Sequence, residues 1–549
     1  MAWRVRRKMA LSAAFITFVR ELAITMGIPV ARRAAHEWVE TAIALIRRRR
    51  TGLDTSVGLA SLRETHRRRY IVAPPPYHPS AGPTVQQSLR DLQQHLQDVT
   101  LKSEGAEGAK VLALSTLEAV VLQERFRGLL IEEDVQYRLT RTPLLGAIEP
   151  IVVPRSTART LTIHVRSRHG VPVVGARVVL LPAGTLPRGY EGVSDAAGQV
   201  RLAVRKADTR FAQVTVLPQA GYWSRVWKHV EATPIRELVL RLAPLPVAGF
   251  DWGHQATGAA QLQPAYRGRG VRVAVIDSGI APHRSLHVAG GHNFLLGEAP
   301  DAWDDDTDGH GTHCAGVVAA VHHEASVWGY VPQASLYALR VFGGADGGGH
   351  VSDIRDAIKW AIRTGCDVIN LSLGSQIPSS YLRMAIAEAT DAGVLCVAAA
   401  GNDGGPVDYP ARFRDVVGVS AVGRMGTYPR SSIHREAQSR IRGADRTYFL
   451  ASFSNRGEEI DLCAPGVAVT STLPAGAFGA WDGTSMGTPH VAGIAALALE
   501  TAPELLHARR DAERTVRVLD RVLSLCVDLG MARQYQGAGL PLVSRLLAT

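Results

Sequence analysis

From Gly270 onward the chain alternates apolar-rich runs with helical ones, and this alternation constrains its fold more than any other feature. Val271 to Ile276, Ser335 to Phe342, Val368 to Leu373, Val394 to Ala400 and Val416 to Val422 read as strands with both faces buried. Between them lie helical segments near Thr312 to Val321, Ser352 to Thr364 and Ser380 to Ala392. Strands of this kind, alternating with helices, predict an α/β fold with a doubly wound, mostly parallel sheet. In such sheets the ligand crevice lies outside the carboxyl ends of the strands. The candidate site residues are therefore sought there.

Three motifs fall at those places. Val273-Ala-Val-Ile-Asp277-Ser-Gly delivers a carboxylate at the end of a strand. Asp308-Gly-His310-Gly-Thr-His313-Cys brings an imidazole to the start of a helix, and Gly483-Thr-Ser485-Met-Gly-Thr-Pro489 brings a hydroxyl to the start of another. A serine hydroxyl is a poor nucleophile near neutral pH. It needs a neutral His to take its proton and a carboxylate to hold that ring in the right tautomer. Asp277, His310 and Ser485 fill those roles. A fourth motif, Val397-Ala-Ala-Ala-Gly401-Asn402, ends a strand on an amide that can donate to a developing oxyanion.

Gly483-Thr-Ser485-Met-Gly487 also fits the nucleophile elbow of the α/β-hydrolases, so the order of the residues decides. The elbow enzymes run Ser, acid, His; here His490 and His507 are the histidines after Ser485, and neither follows a later suitable Asp such as Asp511. The order Asp, His, Ser disfavours an esterase or lipase. A catalytically silent binding protein is the other competing class, and four intact catalytic positions weigh against it.

These motifs resemble the subtilisin-like serine peptidase family over roughly residues 250 to 545, as do Val288-Ala-Gly-Gly291, Ser335-Leu-Tyr-Ala338 and Val368-Ile-Asn-Leu-Ser-Leu-Gly374. The resemblance implies a serine endopeptidase that forms an acyl-enzyme and acts on protein or peptide substrates. It also implies that Gly347, Gly348, Gly349 and Ser372, Leu373, Gly374 form two strands that sandwich an extended substrate. Asp403 and Asp408 would flank the pocket for the side chain preceding the cut bond, where carboxylates favour Lys or Arg. The chemistry requires no cofactor. For a structural calcium, Ser285 stands where many family members carry a ligating Asp, and the usual ligand loop reads His322-His323-Glu324. Asp304, Asp305, Asp306 and Asp308 are the alternative oxygen ligands. Cys314, one helical turn past His310, is expected behind the imidazole.

Upstream, the chain divides into a basic helical leader (1–67), a small α+β domain (68–143) and an antiparallel β-sandwich (156–245), followed by the catalytic domain (250–549). Residues 69 to 140 resemble the inhibitory prodomain of subtilisins, which implies an intramolecular inhibitor and autoprocessing from a precursor. Residues 156 to 245 resemble a transthyretin-like or carboxypeptidase-regulatory-like module, read as a spacer or binding module. Arg-rich residues 424 to 448 read as an exposed insertion, a self-cleavage or partner site.

The first 250 residues hold 36 of the 61 Lys and Arg but 20 of the 50 Asp and Glu, so the net charge of +11 belongs to the N-terminal half. That excess reads as solvated helix faces, and no nucleic-acid partner is expected. There is no transmembrane helix of 18 or more uncharged apolar residues. Arg4 to Lys8 followed by Met9 to Val19 fits a secretory signal, although Arg20 and Glu21 interrupt it, so secreted or periplasmic is the expectation and cytoplasmic stays open. Five cysteines without a C-x-x-C pair argue against a disulfide scaffold or structural zinc.

Overall fold

In a computed structural model the protein is described at residues 67–74, 90, 100–103, 108–115, 118–119, 122–123, 126, 128–140, 149–183, 188–232, 237–262 and 264–547. The expected leader and signal segment, and most of the helices expected over Val85 to Leu101 and Ser115 to Glu124, lie outside the described residues. The chain forms two compact units, Met1–Val135 with Ser379–Tyr381, and Gln136–Pro378 with Leu382–Thr549.

The first unit is built on a four-stranded antiparallel sheet. Arg68–Ala73 and Lys110–Leu114 are its central strands, with Thr100–Ser103 and Leu130–Glu133 at the edges. One apolar face, with Tyr70, Val72, Leu112 and Leu114, packs on Ala119 and Leu122. The sequence places 136–143 in this domain, but Gln136–Thr140 belongs to the second unit, because it hydrogen-bonds there along its length.

The second unit holds a sandwich and a large sheet. Alternation of Leu161, Ile163 and Val165 with Thr160, Thr162 and His164 puts every second side chain of Ala158–Ser167 into the sandwich core. Gln199–Arg205 and Glu237–Leu242 flank that strand, and Arg225–Glu231, Arg210–Leu217, Arg177–Pro182, Arg188–Val193 and Glu149–Pro150 form the facing sheet. The sandwich is not wholly antiparallel: Glu237–Leu242 runs parallel to Ala158–Ser167, and Glu149–Pro150 parallel to Arg188–Val193. Both pairs join strands distant in the chain, which need no hairpin and so can run in either sense.

In the nine-stranded sheet six strands lie parallel in the spatial order Val288–Asn293, Ser335–Arg340, Arg272–Asp277, Val368–Leu371, Leu395–Ala399, Val417–Arg424. Leu462–Pro465 also pairs parallel with Val417–Arg424, while Tyr448–Ala451 and Gln438–Arg442 add an antiparallel edge. The chain steps one way from Arg272–Asp277 and then back past it, so Asp277 ends a strand at the switch point, where a crevice opens. Thr484–Glu500 runs through the core with every residue from Thr484 to Leu499 buried, packed among Val273, Val397 and Val419.

The insertion at 424–448 is not simply exposed. Tyr428, Ser432, Ile433, His434 and Ala437 are buried, and the segment carries the Gln438–Arg442 edge strand. Tyr428 and Ala437 share an apolar cluster with Trp223 and Leu245 of the sandwich, so part of the segment fills an interface while most of its arginines face solvent.

Candidate active site

Asp277 reaches the site because Val273, Val275 and Ile276 bury their strand on both sides and Ser278-Gly279 then turns it. His310 is the first residue of the helix His310–Ala319. That helix approaches so closely that a Cβ on Gly311 would lie 2.0 Å from the Gly279 carbonyl. The two side chains are fully buried, with His310 Nδ1 2.8 Å from Asp277 Oδ1. The same oxygen accepts from the Ser278 backbone N–H at 2.8 Å. Burial disfavours the charged ring, but the Asp277 charge and hydrogen bond outweigh it and hold the His310 pKa well above the usual value.

Ser485 is the second residue of Thr484–Glu500, where free N–H groups and the helix dipole favour negative charge. Pro489, four residues on, has no N–H to satisfy the Ser485 carbonyl. The Ser372 hydroxyl supplies that bond instead, at 3.0 Å. Ser372 is itself held by Asn370 Nδ2 at 3.0 Å. Cys314 lies against this cluster, its Sγ 3.4 Å from Ser372 Oγ and 4.0 Å from His310 Nδ1, and burial raises its pKa.

The cleft is filled by the protein's own residues. Arg138–Leu139 pairs antiparallel with Leu373–Gly374, and on the other side Tyr137 donates its N–H to the Gly349 carbonyl at 2.7 Å. The Thr140 N–H donates to the Ser372 carbonyl at 3.2 Å. The Thr140 carbonyl oxygen accepts from the Ser485 N–H at 3.4 Å and from the Asn402 side-chain amide. Glycine is required at these edges: a Cβ on Gly349 would lie 2.5 Å from the Tyr137 carbonyl, and one on Gly374 would lie 2.9 Å from Asp408 and 3.2 Å from Thr140 Cγ2. Gly347 and Gly348 instead turn back, pairing with Gly343 and Phe342.

The Ser485 hydroxyl does not hydrogen-bond to His310. It lies 2.5 Å from Thr140 Oγ1 and donates to the Ser372 carbonyl at 3.1 Å, and among the described residues His310 Nε2 has no hydrogen-bond partner. The Ser485 proton goes instead to the Ser372 carbonyl, with Thr140 Oγ1 beside the same oxygen.

The two groups of candidate carboxylates have different surroundings. Asp306 is buried and spends both oxygens capping the His310 helix, accepting from Gly309 N–H at 2.8 Å, Thr312 N–H at 2.9 Å and Thr312 Oγ1 at 2.6 Å. Asp305 lies 3.7 Å from Arg340, and Asp304 and Asp308 are exposed. Among the described residues only Asp277, His310 and Cys314 bring three ligand-type atoms within 4.8 Å, so the four aspartates do not converge on a cation. Asp408 is buried beside Gly374, and burial, partly offset by a hydrogen bond from Gln376, raises its pKa to about 6. Asp403 is exposed.

Three contributors were missed from sequence. Thr484 orients Asn402; Trp481 stacks on His313 with centroids 4.8 Å apart and planes 3° apart; and His434 meets Asp482, three residues before the nucleophile. Thr484 and Asp482 adjoin the recognised Ser485 motif, but His434 is 51 positions away with no local pattern to mark it.

A strand-end Asp holding a His, with a helix-start Ser and an amide aimed at the carbonyl of an extended peptide, is the set of groups that serine-type acyl transfer needs. Comparison with known proteins assigns the lineage. Residues 268–519 match the subtilase family. Subtilisin Savinase of Lederbergia lenta is 40% identical over 274 residues, covering 50% of this chain and 89% of that one. M-protease of Shouchella clausii is 40% identical over 274 residues, covering 50% of this chain and 63% of its own length. Subtilisin E of Bacillus subtilis is 41% identical over 281 residues, again 50% of this chain, and 65% of its length. The chain belongs to the subtilase family. It thus spans less than two thirds of the length of some of these relatives, and the family match at 268–519 begins after the sandwich.

Proposed function

We propose that the protein is a subtilisin-type endopeptidase made as a precursor, that residues 136–140 are its own first substrate, and that the bond cut is Thr140–Arg141. The observation carrying this reading is the Thr140 carbonyl, which shares the Asn402 amide and the Ser485 N–H where a tetrahedral oxyanion would form.

The reaction follows from the residues present. Turned away from the Ser372 carbonyl and from Thr140 Oγ1, the Ser485 hydroxyl gives its proton to His310 Nε2 as its oxygen bonds to the Thr140 carbonyl carbon. Asp277 stabilises the imidazolium, and Asn402 and the Ser485 N–H hold the oxyanion. Collapse breaks the bond to the Arg141 nitrogen, which takes the proton from His310. Water, deprotonated by the same ring, then releases a Thr140 carboxylate from the Ser485 ester. No metal or organic group is needed for these steps.

The preceding domain acts as an intramolecular inhibitor in this reading, since its C-terminal continuation occupies the cleft. Other substrates are extended protein segments that add a strand between Gly349 and Leu373–Gly374, and buried Asp408 favours Lys or Arg before the cut bond. Export rests on the run from Arg4 to Val19; among the described residues no helix is long and apolar enough to cross a membrane. Mass-spectrometric mapping of N-termini tests the cut. A fragment beginning at Arg141, absent in Ser485→Ala, is expected, and a Ser485-dependent cut at any other bond overturns the assignment.

A further inference from the structure

The segment from Trp481 to Ser485 touches the site nearly residue by residue. Trp481 stacks on His313 and lies 6.4 Å from the His310 ring centroid at 27°. Thr484 orients Asn402, and Ser485 carries the nucleophile. Between them Asp482, a buried carboxylate, needs partners to remain there. Its Oδ1 accepts from the Ala468 N–H at 2.6 Å and lies 2.7 Å from His434 Nδ1. His434 is 1% exposed.

His434 comes from the insertion, and the sandwich walls it in. Trp223 meets its ring edge-on with centroids 5.7 Å apart, and Tyr428 packs on it at 5.9 Å. The next backbone is held too: Ser224 Oγ is 2.9 Å from Ser432 Oγ, and the Val226 N–H donates to the Ser431 carbonyl at 2.7 Å. The Gly221 N–H donates to the carbonyl of Phe478, in the strand Ala477–Trp481, at 2.7 Å. The sandwich thus grips both the insertion and the strand that leads into the nucleophile.

We propose that His434 is a positioning residue for the nucleophile segment, acting through Asp482, and that the β-sandwich holds it in place. The sandwich is then a working part of the mature enzyme and not a spacer. This rests on the reading of Ser485 as nucleophile. Without the imidazole, Asp482 keeps one partner and moves toward water, carrying with it residues that must stay within a fraction of an ångström for attack. A misplacement of about 1 Å costs on the order of 10²-fold in rate. The substrate-binding edges at Gly349 and Leu373–Gly374 lie elsewhere, so the loss falls on kcat and leaves KM in place.

The test uses the full chain after self-cleavage, with active sites counted by fluorophosphonate titration so that misfolded enzyme is not scored. His434→Ala is expected to lower kcat per titrated site about tenfold or more, with KM within about twofold. His434→Asn, whose amide N–H replaces Nδ1–H, is expected to recover most of that loss. Trp223→Leu, on the sandwich side, is expected to lower kcat in the same sense, and to add little in the Asp482→Ala background; it carries the test alone if His434→Ala gives no titratable enzyme. Unchanged kcat per site in these variants, a loss confined to KM, or no rescue by Asn overturns the proposal. A wild-type enzyme whose Ser485 takes no label overturns the nucleophile assignment instead, which separates the two failures.

Discussion

Thr484 donates both its backbone N–H and its hydroxyl to Oδ1 of Asn402, each at 2.9 Å. A side-chain amide bound through its oxygen has only its N–H groups left to offer, and these face the Thr140 carbonyl. The residue before the nucleophile therefore sets which end of the amide meets the reacting centre. Asn402→Ala is expected to lower kcat by about 10²–10³ with KM little changed, a magnitude taken from a subtilisin and not from this chain. Steady-state kinetics on a peptide amide check it. Thr484→Val, which keeps the N–H bond and loses the hydroxyl, should fall between the two.

His310 predicts the acid limb of the pH profile. Its folded pKa is raised, mainly by Asp277 against the opposing effect of burial, so the ring stays protonated, and useless as a base, above the usual imidazole range. Activity should be lost as pH falls and return only at pH values above about 6.5. Profiles of kcat/KM against pH measure this; Asp277→Asn should move the acid limb down while lowering the plateau.

The four candidate residues could be picked out in the sequence because each ends or starts an element marked by a local pattern: an apolar strand before Asp277 and Asn402, and a Gly-flanked helix start at His310 and Ser485. The parallel sheet was legible for the same reason. What could not be read were meetings between distant segments. Nothing near Thr140 signals that its carbonyl would lie at Asn402, and nothing near His434 points to Asp482. The run Asp304 to Asp308 misled in the opposite sense. Four neighbouring carboxylates suggest a cation, but Asp306 uses its oxygens as a helix cap and no three of the four bring their oxygens together.

Thr140 Oγ1 lies 2.5 Å from Ser485 Oγ, whose proton goes to the Ser372 carbonyl. Thr140→Val keeps the branched shape and removes the hydroxyl bonded to the Ser485 oxygen, leaving that oxygen free for attack, so self-cleavage should be faster than in wild type. The half-time of precursor conversion, followed by gel or intact mass, decides this. A slower conversion would mean that the threonine hydroxyl assists attack.

Asp408 gives a pH-dependent preference. Its pKa, pushed to about 6 mainly by burial, leaves it charged above that pH and neutral below. The ratio of kcat/KM for Arg over Phe before the cut bond should therefore rise as pH passes upward through about 6. In Asp408→Asn the ratio should be low and flat. Peptide substrates differing at that one residue give the measurement.

The central claim is that Ser485 is a nucleophile driven by His310 and Asp277. Peptide mapping of the self-cleaved protein after fluorophosphonate treatment tests it most directly. A single label on Ser485 is expected, formed at least about 10³-fold more slowly in mature enzyme carrying His310→Ala. A label on another residue, or equal labelling rates with and without the imidazole, would contradict it.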